Sequence, residues 1–173
     1  MAEGGLAAVA VEPIAARLGA TKGSFYWHFR DREALVAAAL ALWEERHTEA
    51  VIREVDAVAD PVERLRRLML VVIDHPGEND PVVALFRDRN DPRVAAAIER
   101  VTRRRLAYVV QLLVQCGVRR AEARRRATLA YAAYVGWWQL RAVVPDETPA
   151  GKAARPFAAV LMGMLLPALE SGT

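Results

Sequence analysis

Most prolines in this chain fall where a helix would begin, and two glycines fall where one would end. That punctuation leaves little room for any architecture other than packed helices. Pro13, Pro61, Pro81, Pro92 and Pro149 each precede a stretch with helical periodicity. Proline is tolerated in a first turn because the N–H it lacks has no partner there. Asp60, Asp80, Asp91 and Thr148 stand immediately before four of them, where a side-chain oxygen can cap the helix. The first helix runs through Ile14, Ala15 and Leu18 and ends at Gly19. A short second helix spans about Lys22 to Phe29, with Phe25 and Phe29 on one face. Asp31 caps a long helix that starts at Arg32 and runs toward Val58. Asp60, Pro61 and Glu63 read as N-cap, first position and capping-box partner of the next, which carries Leu65, Leu68, Met69 and Val72 on one stripe.

A break around Pro76, Gly77 and Asn79 leads to a short helix from Pro81. A long helix then runs from Pro92 to Gly117, another from about Arg120 to Val144, and a last one from Pro149 to near Leu169. No stretch alternates with period two for long enough to be a strand. The fold class expected is all-α: a helix-turn-helix domain over residues 1–45, then an all-helical ligand-binding and dimerisation domain over residues 46–173.

Composition narrows the function classes. Apolar residues at 54% and charged residues at 26% permit a sizeable core and a solvated surface, and argue against disorder. A net charge of +3 is by itself a weak pointer to nucleic acid. The single cysteine, Cys116, excludes an internal disulfide; its neighbours Leu112, Leu113 and Val114 suggest a small buried apolar residue in a reducing compartment. The start lacks a basic segment, and its apolar run is broken by Glu12 and Pro13, so no signal peptide is expected. The most apolar stretch, 157–166, is too short to span a bilayer. A cytoplasmic protein without membrane association follows.

The two C-terminal helices are apolar nearly all round. In the first, Ala130, Ala133, Trp137, Leu140 and Val144 lie on one face, and Tyr131, Tyr134 and Trp138 on a neighbouring one. In the second, Phe157, Val160, Leu161, Met164 and Leu165 do the same, and Gly163 allows a close crossing. A helix of this kind must be covered on more than one side. A two-fold homodimer through both helices is the economical solution.

The run IAARLGATKGSFYWHF, residues 14–29, has the grammar of a helix-turn-helix: an apolar-faced helix, a glycine turn, and a second helix with a polar and aromatic outer face. Thr21, Lys22, Gly23 and Ser24 open the second helix, where backbone N–H groups and the helix dipole favour phosphate. Gly23 lets a sugar-phosphate chain approach closely. Tyr26 and Trp27 point away from Phe25 and can reach a phosphate or a thymine methyl, while His28 and Arg32 can close on the backbone at the far end.

The run KGSFYWHF followed by RDREAL resembles the N-terminal DNA-binding domain of the TetR (tetracycline repressor-like) family at nearly every position, over roughly residues 5–45. The resemblance implies base or phosphate contacts from Lys22, Gly23, Ser24, Tyr26, Trp27 and His28, and phosphate contacts from Thr21 and Arg32. It implies a palindromic double-stranded operator, a C-terminal domain that binds a small molecule, and a four-helix dimer interface. Ligand binding would spread the recognition helices and release the operator, so a ligand-responsive repressor is the expected function. Two departures from the family pattern stand out. Met1 falls where the family's first helix should be ending. A loss of three or four apolar side chains corresponds to roughly 5–10 kcal/mol, against a typical domain stability of about 5–15 kcal/mol. The expectation is therefore that the chain start lies downstream of the real one. The alternative function is a dimeric small-molecule-binding or interaction protein that has lost DNA binding through truncation. Ala10 stands where the family has a capping threonine, at a cost of about 1 kcal/mol.

Other constellations carry no chemistry. Ser24, His28 and Asp31 share a helical face but have no nucleophile elbow or oxyanion hole. His47, His75 and Cys116 lack metal-ligand spacing. No enzyme activity, metal or cofactor is expected. The arginine runs 103–105 and 124–126 read as solvated helix faces. Met69, Phe86, Tyr108, Leu112, Tyr134 and Trp138 are candidate lining residues for an effector pocket, each of which could equally be ordinary core. Their character suggests an apolar or aromatic effector. Repression and activation are not distinguished.

Overall fold

A computed structural model describes residues 21–74, 82–148 and 151–166, together with Ala10, Ile14, Ala16 and Gly19. The described elements are α1 (Lys22–His28), α2 (Arg32–Glu44), a π-helical turn (Glu45–Glu49), α3 (Ala50–Asp56), α4 (Pro61–Asp74), α5 (Val82–Arg87), α6 (Pro92–Gln115), α7 (Arg120–Arg141) and α8 (Arg155–Leu165). Short 3-10 turns occupy Pro145–Glu147 and Gly151–Ala154. No strand occurs among the described residues, so the chain is all-α.

Capping explains several boundaries. The Asp31 carboxylate accepts from the Ala34 N–H at 2.7 Å and starts α2. Asp60 accepts from the Glu63 N–H at 2.8 Å and starts α4. Glu63 does not complete the expected capping box; its carboxylate pairs with Arg66 one turn on. Gly19 and Gly117 both have positive φ, +61° and +87°, a conformation open to glycine at the end of a helix. Pro81 and the break at 76–79 lie outside the described residues.

Three boundaries differ from the sequence reading. α7 ends at Arg141 and not at Val144. The long helix expected from Arg32 to Val58 contains a π turn at Glu45–Glu49 and ends at Asp56. Pro149, the expected start of the last helix, lies outside the described residues. Gly151, at φ +59°, turns the chain, and α8 opens at Arg155 with Pro156 in its first turn. Proline thus marks the start as reasoned, but a different proline does so.

The described residues form two compact units. The first comprises residues up to Thr48 and 79–101; the second comprises 49–78 and 102–173. Residues 82–101 therefore pack with α2. In the first unit Leu35, Val36, Leu40 and Trp43 of α2 are buried with Leu85, Val94, Ala97 and Val101, and Ile14, Phe29 and Phe86 pack against them. Arg100 of α6 forms a bidentate ion pair with Glu44 at 2.6–3.1 Å.

In the second unit Leu65, Leu68 and Met69 of α4 pack with Tyr108, Leu112 and Leu113 of α6, with alanines of α7, and with Ala158, Leu161 and Leu165 of α8. Small Ala123, Ala127 and Ala130 line the buried side of α7, which lets neighbouring helices approach closely. Trp137 stacks on Phe157 with ring centroids 4.1 Å apart, joining α7 to α8.

Candidate nucleic-acid interface and effector site

α1 is built by its flanks. The Thr21 hydroxyl accepts from the Ser24 N–H at 3.2 Å, so Thr21 is the N-cap of this helix. At the other end Phe29 packs into the core of the first unit, and Asp31 caps the next helix. The two anchors fix which face of the short helix is left outward.

That face carries the residues expected to meet DNA. Thr21, Gly23, Ser24, Tyr26, Trp27, His28 and Arg32 are all exposed. Trp27 is 86% exposed and Tyr26 53%. The Trp27 ring meets His28 edge-on, with centroids 5.4 Å apart at 89°. Among the described residues, a Cβ on Gly23 would meet nothing closer than Thr21 Oγ1 at 3.7 Å. The side chains of Lys22 and Phe25 lie outside the described residues. Arg30, which the sequence reading does not single out, stands between His28 and Arg32 in the chain. Its guanidinium is largely exposed and holds Asp31 at 3.0 Å, beside Arg32 at the C-terminal end of α1. Its place in the run RDREAL was the signal that could have found it.

The six candidate pocket residues separate. Phe86 belongs to the core of the first unit; the other five lie in the second. Leu112 is fully buried core. Tyr108 is also buried, and its hydroxyl donates to Asp56 at 2.8 Å. Burial first, and then the Asp56 carboxylate, push that hydroxyl well above the usual phenol range, so it stays a neutral donor. Tyr134 lies under the Arg105 guanidinium, 5.7 Å from the ring centroid, and next to Tyr131, whose hydroxyl is 3.1 Å from Thr102 Oγ1. Trp138 is partly buried, with Arg141 6.0 Å from its ring centroid. Its indole Nε1 is enclosed and has no hydrogen-bond partner among the described residues. Met69 contributes to an open cleft of about 300 Å³ between α4 and α8.

The arginine runs divide by helix face. Arg104 pairs with Glu49 at 2.9 Å, Arg105 reaches Tyr134, and Arg126 donates both to Glu122 and to the Leu165 carbonyl that ends α8. These three are half-buried and engaged, not freely solvated as expected. Cys116 is half-buried, and burial with the nearby Asp60 charge raises its thiol pKa. No trio of His, Cys, Asp or Glu able to hold a metal occurs among the described residues, and none of their helices is long and apolar enough to cross a membrane.

Among the described residues the chain is helical, and α1 presents an aromatic and hydroxyl face outward near the N-terminus. Residues 1–39 match the model of the bacterial regulatory proteins of the tetR family. The HTH-type transcriptional regulator TtgR of Pseudomonas putida is 35% identical over 71 residues, which is 40% of this chain and 34% of that regulator. The match thus spans about a third of that relative's length. The fold is similar to that of AibR solved in complex with isovaleryl coenzyme A and operator DNA, with a TM-score of 0.61 and 21% identity over 91% of this chain and 87% of that one. Apo AibR gives the same TM-score at 22% identity.

Proposed function

We propose that the chain is a homodimeric repressor that reads a palindromic operator through α1 and leaves it when an effector occupies the second unit. The observation that carries the DNA-binding part is the outward placement of Trp27 and Tyr26. Covering one aromatic side chain stabilises by roughly 1.5–3 kcal/mol. α1 forgoes that at two adjacent positions while its own hydroxyl cap and Phe29 hold it in place. A rigid helix that presents aromatic and hydroxyl groups suits a major groove, where Thr21, Lys22, Ser24, His28 and Arg32 would supply the phosphate contacts.

The effector part is supported by Trp138. An enclosed indole N–H without an acceptor costs about 1–3 kcal/mol, which a bound carbonyl or carboxylate would relieve. The AibR complex, with isovaleryl coenzyme A and operator DNA, fits the same division of labour. The dimer is supported by exposed apolar residues on α7 and α8, among them Leu129 at 69% and Met164 at 69%. A Cβ on Gly136 of α7 or on Gly163 of α8 would meet none of the described residues within 4 Å, so a second copy could approach both helices closely.

The test is fluorescence anisotropy with duplex DNA from the region upstream of the chain's own gene. Binding should weaken steeply with salt, with a log–log slope of about −0.9 per phosphate neutralised. Trp27→Ala and Tyr26→Ala should each lower affinity at least tenfold with the melting temperature unchanged. Parent-like DNA binding by both variants would refute α1 as the reading helix.

A further inference from the structure

The cleft between α4 and α8 has a chemical polarity that the apolar-effector expectation does not anticipate. Met69 and Leu70 from α4, with Ala158 and Met162 from α8, make an apolar floor. Arg66 and Arg155 stand on opposite helices at its rim, and no carboxylate of the described residues lines it. Met69 and Ala158 are buried, whereas both arginines are exposed, so the charge lies at the mouth and the apolar surface within. Both arginines have other contacts: Arg155 makes one of its own, and Arg66 pairs with Glu63 in its own helix. That pair is exposed and of the i,i+3 kind, which contributes little, and a guanidinium has five N–H donors to share.

From this arrangement we infer that the cleft binds a small amphipathic carboxylate, its head held by Arg66 and Arg155 and its aliphatic tail laid on Met69, Leu70, Ala158 and Met162. Arginine suits a carboxylate because its planar fork can meet two oxygens at once. The floor suits a tail because sulfur and methyl groups there are adaptable and unpolar. About 300 Å³ is at the lower end for small-ligand sites and, at about 30 Å³ per water-sized group, holds roughly ten non-hydrogen atoms. That is the size of a medium-chain acid. Two facing cations also exclude amines of the same shape, and an alcohol of the same length would gain the floor but not the fork. Trp138 does not line this cleft, so the cleft is a site apart from that indole; the inference rests on the effector reading above for its regulatory meaning, though not for the binding itself.

Isothermal titration of the full chain with hexanoate, octanoate, octan-1-ol and n-octylamine tests it. Octanoate should bind once per chain, and affinity should rise roughly threefold to fourfold per added methylene from hexanoate. Octanol and octylamine should bind at least tenfold more weakly. Arg66→Gln and Arg155→Gln should each weaken octanoate at least fivefold while leaving the melting temperature in place. Equal binding of acid and alcohol, parent-like binding by both variants, or no octanoate binding at millimolar concentration would overturn the site. A parallel anisotropy titration on operator DNA separates the two claims. Octanoate that binds through the arginines but leaves operator affinity unchanged upholds the cleft and counts against the effector reading alone.

Discussion

Asp91 shows how a single side chain sets a boundary and a pH response together. Its carboxylate accepts from the backbone N–H of Arg93 at 2.9 Å and from that residue's guanidinium at 2.6 and 3.0 Å, at the start of α6. The Arg93 side chain is the main cause that holds its pKa at about 2, below the ordinary 3.8. The folded state therefore binds this proton less readily than the unfolded chain. The stabilisation is present above about pH 4 and is lost as the pH falls through about 2. Glu122, held low by Arg126, acts in the same direction. Melting curves of the parent and Asp91→Asn should differ at pH 6, draw together below about pH 4 and converge near pH 2. A constant difference across that range would show that the ion pair is not the cause.

Among the elements, α1 is the one whose stability comes least from itself. Seven residues are too few for a helix to persist alone in water. Its position depends on the Thr21 cap, on Phe29, and on the abrupt start of α2 at Asp31. Asp31→Ala removes the acceptor for the Ala34 N–H and should cost about 1 kcal/mol of stability. Thermal denaturation measures that loss, and DNA affinity should fall with it because the anchor of the reading helix loosens. An Asp31→Asn variant, which still caps, should recover most of the stability. The π turn at Glu45–Glu49 is a second local feature. It places one extra residue in the helix, with Thr48 buried, and nothing in the hydropathy pattern announces it.

For the molecule as a whole, the apolar faces of α7 and α8 divide into two. Ala123, Ala127, Ala130, Trp137, Ala158, Leu161 and Leu165 close the core of the second unit. Leu129, Leu140, Val143, Val160 and Met164 remain outside it. On the dimer reading, light scattering should give about twice the 19.1 kDa chain mass. Leu129→Arg combined with Met164→Arg should yield a monomer that retains its helix content and binds operator DNA at least a hundredfold more weakly, because two half-sites are no longer engaged together. A double variant that stays dimeric would place the interface elsewhere.

Much of this was legible in the chain itself. Helix starts follow from local chemistry, since a cap or a first-turn proline acts within three or four residues. Asp31, Asp60 and Asp91 duly mark the onsets of α2, α4 and α6. The resemblance of the KGSFYWHF and RDREAL runs to the tetR family was legible because it lies in residue types at consecutive positions, and the family match over residues 1–39 agrees with it. Tertiary packing alone decided which apolar residue is core and which is surface. Tyr108 and Leu112 went to the interior and Phe86 to the other unit, while Arg66 and Arg155 met across a cleft from positions 89 residues apart. Burial depends on which helices come to lie together in space, and a linear pattern specifies the stripe along a helix without naming the neighbour that covers it.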